Sequence, residues 1–190
     1  MNFFVQPATI TAYKGFACMT DKMRTVISPE QIEARVRELG AEITGVYQGQ
    51  PLTVVCVLKG AFLFFADLVR RIDLDLELEF IRLASYGSGT SSGELVFSKD
   101  LETTIQGKNV LVVEDIVDSG RSMDFLLRTF AERKPRSLRL AALVDKHERR
   151  EVPLDVDFAG FRLDKGFIVG YGMDYAEHYR QLGGIFEIES

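Results

Sequence analysis

Between Val112 and Ser122 the chain reads VVEDIVDSGRS, in which an apolar run leads into two adjacent acids, a third acid and a turn of small residues. Ser119, Gly120 and Ser122 stand just before a helical pattern. Backbone N–H groups, hydroxyls and the positive end of that helix could therefore converge on a phosphate, and Gly120 permits close approach of the backbone. There is no G-x-x-x-x-G-K-[ST] string and no G-x-G-x-x-G, so neither a Walker loop nor a dinucleotide fingerprint is present. A smaller phosphate is implied. Glu114 and Asp115 are poor company for a phosphate unless they hold sugar hydroxyls or a metal, which makes a sugar phosphate the natural ligand. The competing readings are a solvated acidic turn capped by Asp118 or Ser119, a receiver-type acidic pocket and a diphosphate-binding acid cluster. The Gly-Ser loop has no task in the last two.

The elements that must position this loop can be read from periodicity. TVVCVL, Thr53 to Leu58, is a short strand followed by Lys59-Gly60 and the helical pattern AFLFFADLVRRI. NVLVVED, Asn109 to Asp115, is the most apolar strand, and RSMDFLLRTFAERK after it places Met123, Leu126, Leu127 and Phe130 at helical spacing. SLRLAALVDK is the next strand. Two strand-loop-helix units in series imply parallel strands joined by right-handed crossovers, with ligands beyond their carboxyl ends. Upstream, SPEQ at Ser28 carries a helix start: a Ser cap, Pro at the first position and Gln three residues on. Gly40 ends or interrupts that helix. Leu74, Leu76, Leu78 and Phe80 alternate with Asp73, Asp75, Glu77 and Glu79, the mark of a strand with one face in water. DVDFAGFRL, GFIVGYG and IFEIE read as further strands, with a short helix near Ala176 to Leu182. SYGSGTSSGE, Ser85 to Glu94, has three Gly, four Ser and one Thr and reads as a mobile loop.

The chain has 190 residues, 46% hydrophobic and 27% charged, which suits one globular domain; residues 1–24 show no clean period and read as an extension ahead of a single domain over 25–190. A net charge of −5 with scattered acids argues against nucleic acid or an acidic membrane as partner. Cys18 and Cys56 are far apart, and Cys56 reads as a small buried hydrophobe. His147 and His178 have no neighbour at metal-ligand spacing and take solvated or structural roles. MNFFVQPATITAYKGF has no basic segment followed by a long apolar stretch, and no run approaches about 18 apolar residues, so a cytoplasmic enzyme is the expectation.

VVEDIVDSGRS resembles the 5-phosphoribosyl 1-pyrophosphate signature of the purine phosphoribosyltransferases, specifically the hypoxanthine-guanine type. The resemblance runs from about Val26 to Ile188. It implies an α/β type I phosphoribosyltransferase fold, a central mostly parallel sheet flanked by helices, with a flexible hood loop. By position, Glu114 and Asp115 would grip the ribose, and Asp118, Ser119, Gly120, Arg121 and Ser122 would cradle the 5-phosphate. VLKGAF places Lys59 and Gly60 at the pyrophosphate, in a loop that often has an unusual peptide bond, and Arg180 matches an arginine that reaches the same group. Lys146 in VDKHERR matches the purine-recognising lysine. In DKGFIVGYGMDY, Phe167 would stack on the base, Ile168 would contact it, and Asp174 would hold magnesium. Ser85 and Tyr86 match the flexible loop. Ala61 stands where some members have a second glycine, and Ser119, Arg121 and Ser122 where many have Thr, Lys and Thr; the loop replacements keep hydroxyl or charge.

The implied reaction is Mg2+-dependent transfer of the phosphoribosyl group from 5-phosphoribosyl 1-pyrophosphate to N9 of hypoxanthine or guanine. Asp118 would be the catalytic proton partner near N7, and Glu114, Asp115 and Asp174 the metal-side acids. Family members are commonly dimers or tetramers, so a homodimer or homotetramer is expected. A nucleotide-sensing regulatory protein on the same fold is the alternative; it would need a basic face.

Overall fold

The computed structural model describes residues 23–86 and 94–188. Twelve elements follow one another: β1 (Met23–Ile27), α1 (Pro29–Val46), β2 (Leu52–Leu58), α2 (Phe62–Val69), β3 (Leu76–Tyr86), β4 (Glu94–Lys99), β5 (Asn109–Val117), α3 (Arg121–Glu132), β6 (Ser137–Lys146), β7 (Phe158–Leu163), β8 (Ile168–Val169) and β9 (Ile185–Ile188). Strand β1 begins at Met23, two residues inside the stretch read as an extension; residues 1–22 lie outside the described chain.

Six strands form the main sheet in the order β4-β3-β2-β5-β6-β7. All neighbours are parallel except β4, which pairs antiparallel with β3. The near-continuous apolar runs of β2 and β5 are what a parallel strand covered on both faces requires. Val54, Cys56, Leu111 and Val113 face one core with Ile32, Val36, Leu39 and Ile43 of α1 and Phe64 and Leu68 of α2. Val55, Val57, Val110 and Val112 face the other with Met123, Leu126 and Phe130 of α3. The Cys56 thiol is fully buried, as its apolar setting predicts, and burial pushes its pKa up to about 12. A second, antiparallel sheet, β1-β9-β8, lies outside the main one.

Helix α1 starts as the sequence dictates. Ser28 Oγ accepts from Gln31 N–H at 3.3 Å and Gln31 Oε1 accepts from Ser28 N–H at 2.9 Å, a reciprocal cap that contributes about 1 kcal/mol. Gly40 does not end it. A Cβ there would lie 2.5 Å from Cβ of Arg71, so the glycine lets α1 approach the end of α2.

Two expectations are corrected. In β3 it is not the acids that face water: Glu79 is buried, while Leu78 and Phe80 are 44% and 38% exposed. The Glu79 carboxylate accepts from the backbone N–H groups of Glu102 and Thr103 and from the Thr103 hydroxyl, at 3.3, 3.0 and 2.7 Å, and Glu77 pairs with Lys108 at 2.6 Å. Those donors come from the segment after β4, which alternation within β3 does not report. The other correction concerns Ala176 to Leu182, which forms no helix. Tyr175 and His178 exchange both backbone hydrogen bonds across Ala176 and Glu177, whose φ values are +50° and +66°. Two positive φ angles at the centre of a two-residue turn are the type I′ pattern, incompatible with a right-handed helix.

Candidate active site

The carboxyl ends of β2, β5 and β6, neighbours in the sheet, bring Lys59, Glu114 to Asp118 and Lys146 together at one edge. Strand β5 continues through Val117, so Glu114 and Asp115 are strand residues rather than members of a solvated turn. Glu114 is buried, its Oε1 accepting from Asp115 N–H at 3.0 Å, and Asp115 Oδ1 accepts from Ile116 N–H at 2.8 Å. Burial first, and then the adjacent Asp115 charge, holds the Glu114 carboxyl well above its ordinary pKa; burial also raises Asp115. Two crowded acids with little counter-charge are acceptors waiting for hydroxyl donors or a cation.

Beyond them Asp118, Ser119, Gly120 and Ser122 line a recess of about 190 Å³ at the start of α3, where Gly120 is the left-handed cap residue (φ +83°). Arg121 begins the helix and turns away from the recess onto Glu151. The adjoining cavity, about 460 Å³, is lined by Asp118, Lys146, Phe167, Ile168 and Asp174 among others. That volume is ordinary for a site holding a small molecule. Lys146 is buried, its ammonium donating to the Gly166 carbonyl at 2.9 Å and standing 4.0 Å from Asp118 Oδ1. That Asp118 oxygen is buried without a hydrogen-bond partner. Phe167 is 52% exposed at the cavity and meets Tyr175 edge to face at 5.4 Å between ring centres.

On the other side of Asp115, the peptide bond between Leu58 and Lys59 is cis. Lys59 Nζ lies 3.0 Å from both oxygens of Glu177. Arg180 donates to the Gly172 carbonyl at 2.8 Å and pairs with Asp174 at 2.7 Å, while its buried Nε has no partner. Among the described residues no group of three or more Asp, Glu, His or Cys side chains converges as a metal cage, so Glu114, Asp115 and Asp174 do not form one by themselves. Ser85 and Tyr86 end β3, paired with Leu95 and Glu94; residues 87–93 of the expected lid lie outside the described chain.

The recess at the start of α3, the paired acids of β5 and the larger cavity thus share the carboxyl end of the main sheet. The family model for the phosphoribosyl transferase domain matches residues 27–176. Hypoxanthine-guanine phosphoribosyltransferase of Bacillus subtilis (strain 168) is 45% identical over 163 residues, 85% of this chain and 91% of that protein. Its counterpart in Mycobacterium avium is 45% identical over 187 residues, 95% of this chain and 89% of that one. The crystal structure of a hypoxanthine-guanine phosphoribosyltransferase from Bacillus anthracis superposes with a TM-score of 0.83 at 44% identity, covering 87% of this chain and 98% of that one. The chain belongs to the hypoxanthine-guanine phosphoribosyltransferase family.

Sequence reasoning missed what supports the site in this phosphoribosyltransferase. Arg150 makes five hydrogen bonds: to the carbonyls of Val117, Asp118, Lys146 and Leu154, and to Asp145 Oδ1 at 2.5 Å. One planar guanidinium thereby ties the recess at the start of α3 to the strand end that carries Lys146. The basic pair Arg149-Arg150 in KHERR was the only signal, and nothing local distinguishes the buried arginine from the exposed one. His147, assigned a structural or solvated role, is half exposed and 3.1 Å from Asp145.

Proposed function

We propose that this chain is a purine salvage enzyme that transfers the 5-phosphoribosyl group from 5-phosphoribosyl 1-pyrophosphate to N9 of hypoxanthine or guanine, giving IMP or GMP and pyrophosphate. The observation that carries this reading is the buried Asp118 Oδ1, without a hydrogen bond and 4.0 Å from Lys146 Nζ, at a cavity also lined by Phe167 and Ile168.

In this reading Lys146 donates to the exocyclic O6 of a 6-oxopurine, a contact adenine cannot accept. Phe167 stacks on the base and Ile168 bounds it. Asp118 lies beside the position N7 would take and accepts the ring-nitrogen proton that the purine loses as N9 bonds to C1′. Glu114 and Asp115 accept from the ribose hydroxyls, and the recess from Asp118 to Ser122 takes the 5-phosphate through backbone N–H groups and hydroxyls at the start of α3. As the C1′–O bond breaks, the electron pair leaves with pyrophosphate, and Lys59, Arg180 and the backbone at Gly60 offset its growing charge. Magnesium fits this donor set: it is typically bound through one or two carboxylates plus substrate phosphates rather than by a protein cage. Bound beside Glu114, Asp115 and Asp174, it would supply further neutralisation of the pyrophosphate.

We also propose a homodimer or homotetramer. Leu78 and Phe80 lie on one face of β3, Phe80 meets Phe65 of α2 at 5.3 Å between ring centres, and Phe62 of the same helix is 40% exposed. An exposed apolar face built from two elements is suited to a second copy.

The test is an assay of nucleotide formation with 5-phosphoribosyl 1-pyrophosphate, Mg2+ and each of hypoxanthine, guanine, xanthine and adenine. Formation from 6-oxopurines but little from adenine, with kcat reduced about 100-fold or more in Asp118→Asn, is expected. No product with any base would overturn the reading.

A further inference from the structure

Glu177 has no part in the chemistry just described, yet its carboxylate occupies the centre of the pyrophosphate side. It accepts from Lys59 Nζ through both oxygens at 3.0 Å and from Arg180 Nη2 at 3.3 Å. Lys59 follows β2, and Arg180 closes the turn-rich segment before β9; one carboxylate bridges the two cations. This is the place an anionic oxygen of pyrophosphate would take.

Stability does not account for the contact. The Lys59 and Glu177 side chains are 46% and 64% exposed, and ion pairs so open to water add little net stability. Against that, the turn carrying Glu177 holds two non-glycine residues, Ala176 and Glu177, at φ +50° and +66°, a left-handed conformation that side chains disfavour. Asp174 maintains the turn from both sides, its Oδ2 accepting from Glu177 N–H at 2.8 Å and its Oδ1 pairing with Arg180 at 2.7 Å. The segment is thus built to present a carboxylate to two cations through a bond weak enough to exchange. A glutamate fixed beside pyrophosphate would repel it, so both anions cannot hold Lys59 and Arg180 at once.

We propose that Glu177 is a built-in competitor of the leaving group, holding Lys59 and Arg180 in the free enzyme, yielding them to the pyrophosphoryl end of the substrate, and reclaiming them as pyrophosphate departs. This rests on the reading that Lys59 and Arg180 serve pyrophosphate. Glu177 then sets affinity on this side alone. Binding of a nucleoside 5-monophosphate, which uses the phosphate recess and the purine cavity, is independent of it.

The experiment is calorimetric titration of the full-length protein with pyrophosphate and Mg2+, and separately with IMP, for wild type, Glu177→Gln and Lys59→Gln. Removing the competing charge is expected to tighten pyrophosphate binding about three- to fivefold in Glu177→Gln, the worth of one exposed ion pair. IMP affinity stays within about twofold, and the gain shrinks towards none at about 1 M salt, where the screening length falls to about 3 Å. A purely structural glutamate would instead weaken both ligands or neither. If Lys59→Gln weakens pyrophosphate but Glu177→Gln fails to tighten it, the competitor role is wrong while the site assignment stands. If Lys59→Gln leaves pyrophosphate affinity unchanged, the assignment of the pyrophosphate side fails and the competitor role falls with it.

Discussion

A side-chain carbon on Gly60 would lie 1.8 Å from Oδ2 of Asp115. The turn after β2 is thus packed directly onto the acid at the end of β5, with no room for even a methyl group. Gly172 repeats the arrangement on the other side, since a Cβ there would lie 2.0 Å from the Gly60 carbonyl oxygen. Three segments that the proposed reaction needs in register are stacked through bare backbone.

Gly60→Ala must therefore push either the Asp115 carboxylate or the Lys59 turn out of place. Because misplacing a group by about 1 Å can cost about 100-fold in rate, kcat/KM for 5-phosphoribosyl 1-pyrophosphate is expected to fall by at least that factor. Steady-state kinetics on a variant shown by circular dichroism to be folded would check it; activity within tenfold of wild type would show that the interlock is dispensable.

Arg150→Gln removes the cation from a nearly buried pair and leaves Asp145, 4% exposed, without its strongest partner. Breaking one side of a buried pair costs about 3–5 kcal/mol. Denaturant unfolding is expected to show a loss of that order, with KM rising for both substrates because Arg150 holds the backbone carbonyls of both Asp118 and Lys146. Adding Asp145→Asn should restore part of the stability, since the orphaned charge is then gone.

The acid pair makes the free protein's stability depend on pH. Glu114 has an ordinary value of 4.5 that folding raises, so the folded state binds the proton more tightly than the unfolded one. Stability therefore falls as pH climbs from about 4.5 through the raised value, and the loss is complete above it. Glu114→Gln abolishes that contribution. Thermal melts of the ligand-free variant should run a few degrees above wild type at neutral pH and merge with it near pH 4, while phosphoribosyl transfer falls; about 1 kcal/mol moves Tm by about 2–4 °C in a chain of this size. Equal melting temperatures at neutral pH would contradict the burial penalty.

Light scattering after size exclusion tests the apolar face. Wild type is expected to elute as a dimer or tetramer, and Leu78→Asp, which puts a charge beside the exposed Phe80 on β3, as a smaller species. A monomeric wild type would leave that face without a second copy.

Much of this protein was legible in the sequence because it is encoded locally. The reciprocal cap at Ser28 and Gln31, the apolar runs of β2 and β5, and the acid-acid-small-residue string before α3 each involve residues a few positions apart. Hydrogen-bond geometry and helical or strand period act over that same range. By contrast, the burial of Glu79 was decided by Glu102 and Thr103, whose donors hold its carboxylate inside while Leu78 and Phe80 are left exposed. The turns from Gly170 to Leu182 carry left-handed residues that no propensity announces in Ala, Glu or Tyr. The contacts of Glu177 with Lys59 join positions 118 apart, and Gly60 meets Asp115 only because β2 and β5 are neighbours in the sheet. Sequence by itself determined most of the elements, though not the turns at Ala176 to Leu182, and the chemical character of the loop; the order of strands determined which of those groups could touch, because contact between distant residues depends on the packing of the whole chain.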